Sequence, residues 1–434
     1  THPDAVRAAE VRIDLDRTLF LVSSKSGTTI ETLSFFQHFW HRLRDRAELP
    51  QAHFAAITDP QTPLVRPAEE RRFRRIFTAR PDVGGRYSAL SVFGLVPAVL
   101  IGVDLHRLLE AALTMAEASA FCVPAAENPG LVLGAALGEL GRTGRDKVTL
   151  VASPSLAAFP AWVEQLIAES TGKDGRGLIP VVSEPLGSPA AYGADRVFVS
   201  LALDAAASTA LDDRLAALEA AGHPTIRIPV AETTALGQEF FRWEVAVATA
   251  GSILGIHPFN QPDVELAKDL ARKAMAGGTA RTEPDDGIVR LEPAQPLVRA
   301  LAAWLSPARP GDYVAVQAYL APSPETDAAL GRIQLALRDW LGLATTIGYG
   351  PRFLHSTGQL HKGGPNTGLF LQLLDEPADD LPVPGTDYTF ATLIRAQALG
   401  DAQALRQRGR RVLRVMLGRD VLPALGQLAE VLHG

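Results

Sequence analysis

Short apolar runs alternate with stretches of helical spacing along almost the whole 434-residue chain. A continuous apolar run of strand length is what a strand covered on both faces looks like. Helices between such runs supply the crossovers that parallel strands need. The pattern restricts the chain to parallel α/β layers. Strands are expected at 19–22, 53–59, 74–79, 147–153, 178–182, 196–203, 225–230, 312–320, 368–374 and 410–417. Helices are expected at 31–44, where Leu33, Phe36 and Trp40 share a face, from about Asn128, over 155–170 and 208–221, and from about Leu236. Residues 87–103 form a long uncharged run. It contains Gly94 and Pro97, falls short of the ~20 residues of a membrane span, and reads as a buried helix.

The alternation groups into three lobes, 1–120, 121–285 and 290–434, with the Gly/Pro-rich stretch 277–287 as a linker. The third lobe repeats the order of the second. DYVAVQAYL answers KVTLVAS, IQLALRDWLG answers VEQLIAESTG, GLFLQLL answers RVFVSLAL, and RRVLRVML answers PTIRIPV. An internal duplication explains this order better than chance. The alignment pairs Gln165 with Gln334 and Glu169 with Arg338. It also leaves a Gly-rich loop, LHSTGQLHKGGPNT, that only the third lobe has.

Composition excludes several classes of function. Net charge is -6 with 21% charged residues, so neither a nucleic-acid surface nor a polybasic membrane anchor is expected. Cys122 is the single cysteine, which rules out a disulfide framework and points to a reducing, cytosolic compartment. The chain opens on a helix signal that runs straight into strand 19–22, as the middle of a domain would, so a truncation upstream is expected.

The chemistry-bearing stretches lie at strand ends and helix starts. In LFLVSSKSGTTIET, Ser24, Ser26, Thr28 and Thr29 surround Gly27 where a strand gives way to a helix. Helix N-termini present unpaired N–H groups and a positive dipole end. A single cap accounts for one hydroxyl; so many favour a phosphate, without the spacing of a nucleotide P-loop. DVGGRYS aims Arg86 from a turn whose Gly85 lets a ligand come close. QLIAES puts Gln165 and Glu169 on one helix face. In HPFNQPDVELAK, Gln261 and Lys268 are two turns apart and are expected on one face. His355 and His361 lie in the Gly-rich loop. They lack a zinc pattern but suit proton transfer near neutral pH. Taken singly, each stretch also reads as ordinary surface or a capped helix.

Taken together, SSKSGTTIET, DVGGRYS and PFNQPDVELAK resemble, in order, the phosphate loop and two signature segments of the glucose-6-phosphate isomerase family. The first is shared more loosely by all sugar-isomerase (SIS) domains. QLIAESTGKDGRGLIPV resembles the segment with that family's catalytic glutamate, and LHSTGQ the segment with its ring-opening histidine. The tail is most similar to the isomerase part of bacterial transaldolase/glucose-6-phosphate isomerase fusions.

The resemblance implies doubly wound, flavodoxin-like three-layer SIS domains, the third lobe a degenerate copy of the second. In such a domain strand 19–22 is an inner strand, and an earlier strand with its Gly/Ser-rich turn precedes residue 1. The reaction implied is aldose–ketose isomerisation of a sugar phosphate. Ser24, Ser26, Thr29 and the backbone of Lys25 hold the phosphate, Glu169 moves the proton, and Arg86, beside Gly85, stabilises the enediolate. Gln165 and Gln261 place the sugar chain, and His355 and Lys268 open the ring. No metal or organic cofactor is required. A transaldolase domain upstream and an oligomer are compatible partners.

Two departures matter: that earlier strand with its turn, and any transaldolase barrel, are not found in the sequence, and the order of the later segments differs. The family places its histidine segment between the glutamate and the Gln/Lys segment, and here it comes last. In the family this histidine arrives from a partner subunit; here the third lobe is expected to deliver it in cis. The alternatives are another SIS-type isomerase, for an amino sugar or mannose phosphate, and a sugar-phosphate sensor. A sensor has no use for Glu169, Lys268 and His355.

Overall fold

The computed structural model describes residues 1–46, 48–203, 205–276, 287–291 and 294–433. The linker expected at 277–287 lies outside the described residues but for Gly287. The chain divides into two units, Thr1–Glu110 with Pro377–Ile394, and Ala111–Glu376 with Arg395–Gly434.

In the first unit, α1 (Pro3–Arg12), β1 (Phe20–Ser23), α2 (Ile30–Arg44), β2 (Phe54–Thr58), α3 (Val65–Glu70) and β3 (Arg75–Thr78) build a parallel sheet of order β1-β2-β3. β2 is buried throughout. Phe36 and Trp40, one turn apart on α2, pack on Phe54 at 5.6 and 5.3 Å between ring centroids. β1 is an edge strand with Phe20 and Leu21 half-buried. Among the described residues β2 is its one neighbour.

α4 (Val92–Leu100) and α5 (Leu105–Ala118) follow. Residues 87–103 do hold a helix, but not a buried one. No residue of α4 is buried, and Ile101 beyond its end is 83% exposed. An apolar run specifies a helix's appetite for cover, not how many of its sides are covered. Nine residues with Pro97 among them make little more than two turns.

The second unit contains two sheets. α6 (Pro129–Arg142), β4 (Lys147–Ala152), α7 (Phe159–Thr171), β5 (Ile179–Val181), β6 (Arg196–Ala202), α8 (Ala205–Ala220), β7 (Thr225–Pro229) and α9 (Leu236–Leu254) form the first, of order β5-β4-β6-β7. After α10 (Glu265–Ala276) come β8 (Ile288–Arg290), α11 (Ala294–Leu305), β9 (Tyr313–Tyr319), α12 (Pro324–Leu341), β10 (Ala344–Tyr349) and α13 (Ser356–Gly363). β11 (Gly368–Leu374), α14 (Phe390–Gln407, begun in the first unit), β12 (Arg411–Met416) and α15 (Val421–His433) complete the chain. The last sheet runs β10-β9-β11-β12-β8.

Strand for strand, β5-β4-β6-β7 and β10-β9-β11-β12 have one order, and β8 is added at the far edge. Register follows too. Lys147 faces Ile179 and Arg196, as Tyr313 faces Ala344 and Gly368. The edges that meet are β5 and β10: Ile179, Val181 and Ala344 share a buried cluster with Tyr313, Leu360 and Phe370.

α6 lies against α9 along a ridge of glycines at positions 130, 134 and 138. A Cβ at Gly134 would stand 2.4 Å from the Ala246 carbonyl oxygen and 2.6 Å from Thr249 Cβ. One exposed-looking Gly-rich helix is thus a contact surface. Gly134→Leu is expected to push the helices apart and cost about 2–4 kcal/mol, more than the usual overpacking penalty because backbone is struck. Urea unfolding of both proteins checks this.

Candidate functional site

The hydroxyl loop sits at the carboxyl end of β1. Ser24 is buried, and its backbone N–H donates to Ile57 O at 3.0 Å, so the loop continues the sheet for one residue. Gly27 then turns with φ +67°. A Cβ there would come within 2.8 Å of Leu64 N and Thr62 Cβ, so both conformation and space require glycine.

Thr29 is the N-cap residue of α2, yet its side chain makes no capping hydrogen bond. Its Oγ1 lies 2.8 Å from Ser24 Oγ, and Ser26 Oγ lies 2.9 Å from Thr28 Oγ1. The reading of these hydroxyls as a plain cap thus fails on geometry. The hydroxyls pair with one another around the start of a 15-residue helix, the end whose dipole and N–H groups suit an anion. The Lys25 ammonium is turned away from these hydroxyls: it pairs with Asp59 and donates to Pro81 O.

That second contact brings the turn before DVGGRYS to the same sheet end. Gly84 opens a short 3-10 turn, Arg86 is 3% exposed, and nothing lies within 4 Å of where a Cβ on Gly85 would be. Gly85 is exposed, so the space beside it is open.

In the second unit, Gln165 and Glu169 share a half-buried face of α7. Gln165 Nε2 donates to Glu169 Oε2 over a long 3.4 Å. The remaining residues from Val163 to Thr171 are buried, so α7 is an interior helix with one polar stripe.

α10 begins at Glu265 and not earlier. Gln261 therefore precedes the helix, and the expected shared face with Lys268 does not exist. Pro262 and Asp263 make a turn instead, and the Asp263 N–H is taken by Gln359 Oε1 at 2.9 Å. Lys268 is half-buried and donates to Glu265 at 2.8 Å.

The Gly-rich stretch is likewise not a loop. It forms the buried helix α13, with His355 at its N-cap. α13 packs along α7, where a Cβ on Gly172 would stand 2.3 Å from Leu360 Cα; within its own segment, one on Gly358 would stand only 1.7 Å from Phe353 O. These glycines are contact positions, which composition alone presents as turn residues. Leu354, immediately before His355, is buried with Ala267 and Ala271 of α10. The structure thus gathers the segments carrying Gln165 and Glu169, Gln261 and Lys268, and His355.

The two histidines now separate. His361 is fully buried, stacked on Phe353 at 5.6 Å and 3.3 Å from Gln317 Nε2. Burial first, then the nearby Lys362, holds it well below the usual histidine range, so it stays neutral. His355 is half-buried at the helix start.

Several residues of this centre carry no mark in the sequence. Glu164 accepts from Arg352 at 2.6 Å, linking α7 to the His355 segment, and burial raises its carboxyl despite that guanidinium. Lys173 donates to His257 O at 2.6 Å. Gln359 lies within LHSTGQ, but nothing in its spacing sets it apart.

The third-lobe counterparts of the α7 pair have structural duties. Gln334 donates to Thr345 O at 2.7 Å. Arg338 donates to Pro185 O at 2.6 Å and lies 5.6 Å over the Tyr192 ring, fastening α12 to the neighbouring lobe.

The model of the phosphoglucose isomerase family matches residues 3–179. A glucose-6-phosphate isomerase of Rubrobacter xylanophilus is 30% identical over 309 residues, 61% of this chain and 70% of that protein. The chain belongs to the glucose-6-phosphate isomerase family.

The isomerase of Parabacteroides distasonis is 29% identical over 56% of this chain, which spans 64% of that enzyme's length. Among solved structures, a hypothetical protein of Thermus thermophilus matches at TM-score 0.59 and 26% identity, covering 64% of this chain and 76% of its own. The Chlamydia trachomatis glucose-6-phosphate isomerase matches at 0.54 and 20%, over 69% and 65%, a likeness of fold. No helix among the described residues is long and apolar enough to cross a membrane.

α9 runs beside α7, with Phe240 against Trp162 at 4.8 Å, and carries two carboxyls raised by burial, Glu239 to about 6 and, further, Glu244. Glu244 has a buried Oε1 without a hydrogen-bond partner, and burial pushes its pKa from 4.5 up to about 8. The unfolded chain loses this proton near 4.5, whereas the fold keeps it to about 8. Between those values the fold holds the extra proton, so stability falls as pH rises and levels off above about 8. Glu244→Gln is expected to raise unfolding free energy at about pH 8.5 by on the order of 2 kcal/mol and to leave it unchanged near pH 4. Denaturant titrations at both pH values test the sign.

Proposed function

We propose that the protein catalyses the reversible isomerisation of glucose 6-phosphate and fructose 6-phosphate, with His355 acting in cis. One observation carries the reading: α13, which starts directly after His355, packs on α7, which carries Glu169, within one chain. The hydroxyl loop at the start of α2 and the family membership support it from the side of the substrate.

In this reading Ser24, Ser26, Thr29 and the Lys25 backbone hold the phosphate, far along the substrate from the reacting carbons. Binding there orients C1 and C2. His355, with Lys268, passes a proton from the O1 hydroxyl to the ring oxygen and opens the pyranose. Lys268 leaves Glu265 to do so. Glu169 then takes the proton from C2 and returns it to C1, while the proton of the C2 hydroxyl passes to O1. Negative charge develops on the enediolate oxygens between these transfers, and Arg86 meets it as a fixed cation. Gln165 and Gln261 place the open chain, and Gly85 gives it room.

The third lobe is, in this proposal, a duplicate of the second that has taken the place of a partner subunit. It gave up the glutamate position to Arg338 and gained α13. The enzyme is taken to be cytosolic, and a transaldolase domain upstream belongs to the same proposal.

The test is fructose 6-phosphate turnover by wild type, Glu169→Gln and His355→Ala. Loss of a positioned base costs about 10²–10⁴-fold in kcat, so Glu169→Gln is expected to fall by that range with KM little changed. His355→Ala is expected to lose ring opening while still isomerising the small open-chain fraction. Mixing Glu169→Gln with His355→Ala restores nothing if the histidine acts in cis. Partial recovery on mixing, as mixed oligomers regain one intact site, would show a histidine supplied between chains, and unchanged turnover in Glu169→Gln would remove the proposed base.

A further inference from the structure

Gln359 is fully buried on α13, one turn after His355, and its amide makes three hydrogen bonds to two other segments. Oε1 accepts from the Asp263 N–H at 2.9 Å. Nε2 donates to Gly172 O at 2.9 Å and to Asp263 Oδ2 at 2.8 Å. The backbone N–H of Asp263 can only donate, which fixes which end of the amide carries oxygen.

The bonded atoms lie where the proposed chemistry lies. Gly172 is three residues past Glu169, at the end of the same helix. Asp263 is two residues past Gln261 and lies in the turn that leads into α10 and Lys268. One amide therefore ties together the three segments that carry Glu169, Gln261 with Lys268, and His355.

The surroundings leave that amide no freedom. A Cβ on Gly363 would stand 2.3 Å from Asp263 Oδ2, 2.7 Å from Gly172 O and 2.8 Å from Gln359 Nε2. Asp263 Oδ1 accepts from Arg408 at 2.5 Å, so its second oxygen is also engaged. A leucine of similar volume at 359 would strand the buried Gly172 carbonyl and the Asp263 N–H.

We propose that Gln359 is a positioning residue for the isomerisation, whose amide sets where Glu169, Gln261 and His355 stand relative to one another. This rests on the isomerase reading above. A misplacement of about 1 Å at a reacting group costs on the order of 10²-fold in rate. An amide that joins three segments by single short bonds controls displacements of that size.

Full-length Gln359→Leu and Gln359→Glu are assayed with fructose 6-phosphate, at about pH 6 and about pH 8.5, beside melting temperatures. Gln359→Leu is expected to lose about 10²-fold in kcat with KM within about threefold, equally at both pH values. Gln359→Glu keeps the acceptor for Asp263 N–H but turns a carboxylate toward Gly172 O and Asp263 Oδ2. Its deficit relative to wild type is expected to shrink severalfold at the lower pH, where a protonated carboxyl donates again. A purely structural residue would move melting temperature without this split or pH rescue.

Folded Gln359→Leu with kcat within about threefold of wild type overturns the proposal. Should that variant fail to fold, a Gln359→Glu deficit independent of pH overturns it instead. An inactive wild type, or an active Glu169→Gln, overturns the isomerase reading; an active wild type with inactive Glu169→Gln and fully active Gln359→Leu overturns the positioning role alone.

Discussion

The close approach of α13 to α7 is the contact that brings the candidate-site segments of the second unit together. It is possible because both helices present bare backbone where they meet. Gly172 faces Leu360 Cα, and Gly363 faces Gly172 O and Asp263. At that distance the Gly172 carbonyl comes within reach of the Gln359 amide, and Arg352, just before α13, reaches the Glu164 carboxylate of α7. The result is a polar set placed by short bonds between segments, the arrangement that holds a reacting group to a fraction of an ångström.

The same contact explains how two like lobes diverged. β5-β4-β6-β7 and β10-β9-β11-β12 have one order and matching registers, so the backbone offers two equivalent crevices. Their helices differ in what they touch. α7 keeps Gln165 and Glu169 on its half-buried face, while Gln334 and Arg338 on α12 are drawn into carbonyl contacts with Thr345 and Pro185. An arginine suits that second duty. Its planar, permanently charged fork donates to Pro185 O, pairs with Asp339 and covers the Tyr192 ring at once, where a carboxylate would meet a carbonyl oxygen with no proton to give.

Much of the layer structure was legible in the residues. Ten strands follow from short apolar runs set between helical patterns, and the fully buried ones, such as β2, β9 and β11, carry almost no polar residues, as strands covered on both faces do. β10 escaped, since Ala344–Tyr349 mixes threonine and glycine and lies among turn residues. β8 is three residues at an edge. α13 was hidden by its own packing. Glycines that exist to let helices touch look like glycines that end them, and sequence carries no mark to separate the two. The extent of cover on α4 was equally out of reach, as apolar character records what a helix tolerates and not what lies against it.

The site was legible in a different way. Hydroxyls beside Gly27, a Gln and Glu four apart, and an arginine after two glycines are local patterns, and local geometry honours them. What spacing could not supply were the relations between segments. Gln261 looked like a partner of Lys268 on one helix, but the turn at Pro262 and Asp263 separates them, and the Asp263 N–H goes to a residue nearly a hundred positions away. His355 and His361 were equivalent as letters. They part only because Phe353, Gln317 and Lys362 enclose one of them and keep it neutral. A fully enclosed imidazole flanked by cations is a poor proton donor at any working pH, so the helix start, not its interior, is where a histidine of this segment can serve.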